Sequence, residues 1–269
     1  MSSRTRPYFF AALAIVIVAA GVLVGLHLRS EGGTLANDFD RLKAKLHDVA
    51  GLAVAAIGDA QAPMTLGDWQ TGPAWSTMKV PLVIAALREQ HPPKVTDAMT
   101  KAITESDNAA GESLWAALGD PAAAAAKVDA VLRQAGDPTV VQSQKVRPEF
   151  TAFGQSDWSL VDQVRFLSVA VCDSANAPIF TLMGRVEPDQ RWGVGNIPDS
   201  RFKGGWGPSP TGRYLVRQMG ILATPKGMVA VAIAAQPDSG TYEDGTADLT
   251  EMSTWLAAHL AELPAAPCR

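Results

Sequence analysis

Ser76-Thr77-Met78-Lys79 runs straight into Val80–Glu89, VPLVIAALRE, an apolar stretch of helical length. Residues i and i+3 share one face of a helix, so the Ser76 hydroxyl and the Lys79 amine can meet there. Pro81 falls inside the run and removes the amide that would bond the Thr77 carbonyl, which predicts a local kink. A second serine-x-x-lysine, Ser200-Arg201-Phe202-Lys203, leads into Gly204-Gly205 and reads as the start of a strand. There the two side chains diverge. The four-residue pattern alone is weak, expected about once by chance in a chain this long. Its weight comes from two further motifs, in order along the chain. The first is Ser106-Asp107-Asn108, expected in roughly a few per cent of chains this size, and the second is Lys203-Gly204-Gly205.

From about Val54 to the end, this ordered set resembles the penicillin-recognising serine hydrolases, the class A β-lactamases and penicillin-binding proteins. The stretch Ala102–Ala110, the helix ending at Leu118-Gly119-Asp120-Pro121 and the Ala-rich helix up to Gly136-Asp137 are similar to that family's all-helical lobe. Leu52–Ile57 and Met64–Trp69 read as strands. The Lys203 strand, Tyr214–Ala223, a turn at Pro225-Lys226-Gly227, the strand Met228–Ala235 and a closing helix complete the chain. Strands, then helices, then strands, then a helix predict an α+β fold. An antiparallel sheet is flanked by helices, with an inserted all-α lobe. The resemblance implies the same fold.

Before this domain, Arg4 and Arg6 precede a 19-residue apolar run, Tyr8–Leu26, about the length that spans a bilayer. No clean small-x-small cleavage site follows it, so an uncleaved signal anchor is favoured over a cleaved peptide. The positive-inside rule then puts the bulk of the chain outside the cytoplasm, although Arg29 thins the asymmetry. The expected organisation is an anchor over 1–30 and one domain over 31–269. Its sheet lobe comprises 38–75 and 200–269, and its helical lobe 76–199. Glu31-Gly32-Gly33 reads as a linker, and Asp38–Val49 shows helical spacing. With 269 residues, 47% hydrophobic, the chain can bury a substantial core. A net charge of −4 gives no basic footprint for nucleic acid. Cys172 is read as lying on an apolar helix (Leu160–Val171), where a buried free thiol is the commoner reading. A disulfide with Cys268 is the alternative.

A serine hydroxyl needs a base within reach to act as a nucleophile. His27, His47, His91 and His259 all lie away from the motifs, which argues against a Ser-His-Asp triad. Lys79 is the available base, provided that desolvation or a neighbouring cation such as Lys203 lowers its pKa. The resemblance implies that Ser76 is the acylated nucleophile, Lys79 its base, and Ser106 the proton donor to the leaving nitrogen. It further implies that Asn108 holds the substrate amide, Lys203 attracts the substrate carboxylate, and the backbone amides of Ser76 and Trp206, beside Gly205, form the oxyanion hole. Asp107 is read as bracing its loop. The anchoring arginine usual on the next strand is Arg213 or Arg217, and the alternative to both is a pair of exposed strand arginines. No metal or cofactor is implied, and the partner is a small-molecule or peptide substrate.

Three departures qualify the resemblance. Gly204 stands where the family has serine or threonine, which puts penicillin-type carboxylate recognition in doubt. Ser106 comes only 30 positions after Ser76, so a wall of the class A cleft is missing. Arg147-Pro148-Glu149 echoes the loop of the deacylating glutamate, but Phe153 stands where its partner asparagine belongs. Glu149 is therefore read first as a solvated loop residue and second as a deacylation base. Two functions remain: a membrane-anchored extracytoplasmic serine hydrolase or acyltransferase, or a binding protein that has lost turnover on the same fold.

Overall fold

The structure, a computed structural model, describes residues 34–46, 48–58 and 62–268. The expected anchor, the linker after it, His27 and His47 lie outside the described residues. Chain contacts divide after Arg41. In the N-terminal unit, residues 34–41 are helical, with Asp38 ion-paired to Arg41 one turn on.

The second unit is built on strands Asp48–Ala56 (β1), Met64–Gly67 (β2), Thr71–Pro73 (β3), Asp157–Ser159 (β4), Arg201–Pro208 (β5), Tyr214–Thr224 (β6) and Gly227–Pro237 (β7). Five of them form one antiparallel sheet in the order β2-β1-β7-β6-β5, which leaves β5 at an edge. β3 and β4 pair as a separate ribbon. The helices are Lys79–Arg88 (α1), Asp97–Thr104 (α2), Asn108–Ala117 (α3), Pro121–Gln134 (α4), Leu160–Ala170 (α5), Ala177–Met183 (α6) and Tyr242–Ala258 (α7).

Side chains alternate faces along a strand, and the small residues exploit this. Ala230, Ala232 and Ala234 of β7 and Ala53 and Ala55 of β1 join the core shared with α1 and α5. Small side chains there let the helices approach the sheet closely. On the opposite face α7 lies against the sheet. A Cβ added at Gly245 would stand 2.5 Å from Val216 Cγ2. The expected antiparallel sheet with flanking helices and a helical region between its strands is what the chain adopts.

Several details differ from the sequence expectation. Asp38–Val49 is not one helix. Residues 34–43 are helical, and β1 begins at Asp48, where Asp48, Val49 and Ala50 pair with Pro237, Gln236 and Ala235. Cross-strand pairing overrides a short run of helical spacing. Pro81 falls in the first turn of α1, preceded by a 3-10 turn over Trp75–Met78. First-turn amides have no partner inside the helix, so the proline removes nothing there and the expected kink has no cause. Cys172 is bonded to Cys268, with Cα atoms 5.4 Å apart, in place of the favoured free thiol. It lies just past the end of α5, half-buried in a turn, and the Met228–Ala266 bridge brings the chain end back to it.

Candidate active site

The nucleophile turn is held from both sides. Trp75, immediately before Ser76, takes φ +50°, a left-handed conformation that costs a non-glycine residue about 1 kcal/mol or more. Thr77 Oγ1 donates to the Ala74 carbonyl (2.6 Å) and accepts from Gln163 Nε2 (2.9 Å). Gln163 Oε1 in turn accepts from Arg217 Nη2 (2.7 Å). The same guanidinium donates to the carbonyls of Gly72 (2.9 Å), Pro73 (3.0 Å) and Trp158 (2.9 Å). Arg217 is fully buried and lies over the Trp69 ring, 5.0 Å from its centroid. Burial pulls its pKa down to about 9, opposed by the Asp157 charge, so it is cationic at neutral pH. Arg217 is thus a brace beneath the segment that enters the nucleophile turn, and it is removed from the candidate substrate ligands.

Gly205 serves the same turn by having no side chain. An added Cβ would stand 2.9 Å from Ala74 O, Ser76 N and Thr77 N, so only glycine lets β5 pass this close to the Ser76 amide. Gly207 does likewise for the Trp75 ring, with a would-be contact of 2.6 Å.

Lys79 opens α1 and is fully buried. Its Nζ donates to the Ser106 carbonyl and to Asn108 Oδ1 (2.8 Å). Burial lowers its pKa from 10.5 to about 7, partly offset by the nearby Asp107 charge. Gly111 lies close to the lysine stem; a Cβ there would stand 3.2 Å from both Lys79 Cε and Phe153 Cζ. Ser106 adopts φ +57°, and Asp107 caps α3 by accepting from Ala110 N (2.6 Å). That places Asn108 at the first position of α3, with Lys79 beneath it. Lys203 Nζ donates to Ser106 Oγ (2.7 Å) and to its neighbour's carbonyl, Gly204 O (2.9 Å). Burial, and then the Lys79 charge, push the Lys203 pKa well down.

Lys79, Ser106, Asn108 and Lys203 are therefore one hydrogen-bonded cluster, assembled from α1, the turn before α3, α3 and β5. Ser76 and Asn108 also line one cavity of ≈ 350 Å³, together with Trp206. The expected Ser76–Lys79 hydrogen bond is absent: among the described residues, the lysine amine bonds to Ser106 and Asn108 and not to the Ser76 hydroxyl. Lys203 is fully buried and, like Lys79 and Ser106, does not line the cavity; its amine is spent on Ser106 Oγ and Gly204 O. Arg213 is exposed, donates to the Pro237 carbonyl (2.9 Å) and lies outside the cavity lining. Glu149 does line the cavity, but is exposed and ion-paired with Arg147 (3.1 Å). Sequence reasoning missed Thr77, Gln163 and Trp75. Gln163 lies 86 positions from Thr77, and no motif signals that contact.

The hydrogen bonds match what neutral amines can do. A neutral lysine has two N–H donors and one lone pair. Lys79 spends two donors on Ser106 O and Asn108 Oδ1, which leaves the lone pair to accept a proton. Ser106 Oγ accepts from Lys203, which leaves its own hydrogen to donate.

Solved structures with the same architecture are class A β-lactamases. One from Bacteroides cellulosilyticus superposes with a TM-score of 0.67 at 15% identity, over 86% of this chain and 98% of that one. A β-lactamase from Streptosporangium roseum gives 0.64 at 14% identity, over 86% and 100%. An ancestral class A β-lactamase gives 0.65 at 18% identity, over 83% and 99%. At these identities the likeness is one of fold, and the chain has the β-lactamase-like fold. No protein-family model and no curated protein sequence matches the chain.

Proposed function

We propose that this chain is a serine hydrolase or acyltransferase that forms an acyl-enzyme at Ser76 on an amide, peptide or β-lactam substrate. The observation that carries the reading is Lys79, a fully buried amine whose pKa burial lowers to about 7, bonded to Ser106 O and Asn108 Oδ1 and three positions from the serine. In the proposed step Ser76 Oγ attacks the carbonyl carbon and Lys79 Nζ takes the hydroxyl proton. The backbone amides of Ser76 and Trp206 face the oxyanion, and stabilisation of this kind is usually the largest single contribution to acyl transfer. The bond to the leaving atom then breaks, Ser106 Oγ supplies that atom with a proton, and the proton held on Lys79 passes to Ser106, which leaves both groups as they began. Water or another acceptor completes the cycle by attacking the ester. Glu149 is tied to Arg147, so deacylation lacks an evident general base and the acyl-enzyme should be long-lived.

We further propose that residues 1–30 anchor the protein in a membrane with residues 31–269 outside the cytoplasm. The support is the Tyr8–Leu26 run with Arg4 and Arg6 before it. Among the described residues no single helix is long and apolar enough to cross a membrane. Protease added to intact cells should degrade the domain, and full protection would refute this topology.

The second reading, a binding protein that has lost turnover, is favoured by one observation. The Lys79 amine is turned to Ser106 and Asn108 and makes no bond to Ser76. Intact-protein mass after treatment with a fluorophosphonate separates the two. The hydrolase reading expects one adduct that maps to Ser76 and vanishes in Ser76→Ala. An unmodified protein would leave the binding reading.

A further inference from the structure

We infer that the substrate of Ser76 carries no carboxylate on its leaving-group side and instead lays a flat, uncharged ring against Trp206. The inference rests on the acyl-enzyme reading and adds the chemistry of the group that departs. Ser106, the proton donor in that reading, is hydrogen-bonded to Lys203 of β5, so the departing atom faces β5. A carboxylate there would need a cation or a hydroxyl within reach.

The cations near it are committed elsewhere and a hydroxyl at 204 is missing; the hydroxyls that remain in the lining, those of Thr151 and Tyr214, carry no charge to offset one. Lys203 is buried and bonded to Ser106 and Gly204 O. Gly204 has no hydroxyl. Arg217 is buried on three carbonyls and Gln163. Arg213 is turned to Pro237 O. The charged residues that do line the cavity are Glu112 and Lys145, paired with each other (2.9 Å), and Glu149, paired with Arg147 outside the lining. Their formal sum within the lining is negative, so the cavity does not attract an anion.

The space where a side chain at 204 would point is aromatic. A Cβ there would lie 3.4 Å from Trp192 Cη2 and 3.5 Å from Trp206 Cζ3. Trp192, Trp206, Tyr242 and Tyr214 form a continuous series of ring contacts. The centroid distances are 5.9 Å between the tryptophans, 5.4 Å from Trp206 to Tyr242 and 6.0 Å from Tyr242 to Tyr214. All four rings are half-buried, and Trp206 and Tyr214 line the Ser76 cavity. A ring of the substrate gains stacking on this surface, whereas a carboxylate would trade its hydration for neutral donors such as Trp192 Nε1 and the tyrosine hydroxyls, with no free cation among them.

The test uses two esters of one shape, 4-acetoxybenzamide and 4-acetoxybenzoate, which differ in the charge at the far end of the leaving ring. The expected result is kcat/KM at least about tenfold higher for the neutral ester, with the preference shrinking in Trp206→Ala and returning in Trp206→Phe. Both variants keep the backbone amide at 206. An acetylated glucose in a third arm tells a sugar face from an aryl face: faster turnover of the benzamide than of the benzoate supports the inference, and turnover of the sugar ester ahead of both would overturn the flat ring. Equal rates, or preference for the benzoate, would overturn it. Fluorophosphonate labelling of the same preparation keeps the two ideas apart. If Ser76 labels but the benzoate wins, the substrate inference alone falls; if Ser76 does not label and neither ester turns over, both fall.

Discussion

If the neutral Lys79 amine is the base, the rate of Ser76 acylation must track its titration. The folded pKa is about 7, so roughly half the protein carries the neutral amine at pH 7 and about 1% at pH 5. Labelling by a fluorophosphonate should therefore slow about 50-fold between pH 7 and pH 5 and level off above pH 8. Asp107 holds a negative charge near the amine and opposes the lowering, so Asp107→Asn, which keeps the helix cap, should move the limb to lower pH. The assay is pseudo-first-order labelling monitored by intact mass, with Ser76→Ala as background. The same titration bears on stability. Between pH 7 and 10.5 the unfolded chain binds the Lys79 proton and the folded one does not. Unfolding free energy should therefore rise with pH across that window, by on the order of a few kcal/mol, and Lys79→Met should reduce the rise to the share that buried Lys203 contributes. A labelling limb above pH 9, or a rate independent of pH from 5 to 9, would refute Lys79 as the base.

Gly205→Ala forces a methyl group against Ala74 O, Ser76 N and Thr77 N, backbone atoms that cannot turn aside. Labelling of Ser76 should fall about 100-fold or more, because misplacement by about 1 Å has that effect. Arg217→Met leaves the Gly72, Pro73 and Trp158 carbonyls and Gln163 Oε1 without their donor. A loss of about 3–5 kcal/mol in denaturant unfolding is expected, and unchanged stability would show that the brace is dispensable. Cys172→Ser opens a 96-residue loop and should lower Tm by roughly 5–10 °C, as should reductant on the parent protein. Equal Tm values with and without reductant would contradict the pairing.

The fold was legible because its parts carry strong local patterns. The apolar runs around Val231 and Leu222 with a turn at Pro225-Lys226-Gly227 read as a hairpin, and the sheet is built on it. Val80–Arg88 reads as a buried helix and is one. What failed was set by long-range pairing. Asp48 and Val49 look helical until β7 stands beside them. The ribbon of Thr71–Pro73 with Asp157–Ser159 joins two three-residue segments, each too short to show a period. The disulfide needed the chain end to be pinned to β7, which no spacing reveals.

The site was legible as a set of residue types and not as a set of directions. Motif order brought Lys79, Ser106, Asn108 and Lys203 to one place, and the hydrogen bonds join them. Which way each amine points depends on burial. Both lysines are sealed from water, so each must satisfy its donors on nearby oxygens, and those oxygens belong to Ser106, Asn108 and Gly204. That requirement turns Lys203 away from the cavity. Arg213 and Arg217 are four apart on or beside one strand, yet one meets solvent and the other three carbonyls under Trp69. Spacing cannot separate them, because what differs is the layer above each. The replacement at 204 obeys the same logic. A missing hydroxyl is visible in the sequence, but Trp192 comes from 12 residues earlier and Tyr242 from 38 residues later. Only their meeting beside β5 turns an absent anion ligand into an aromatic surface.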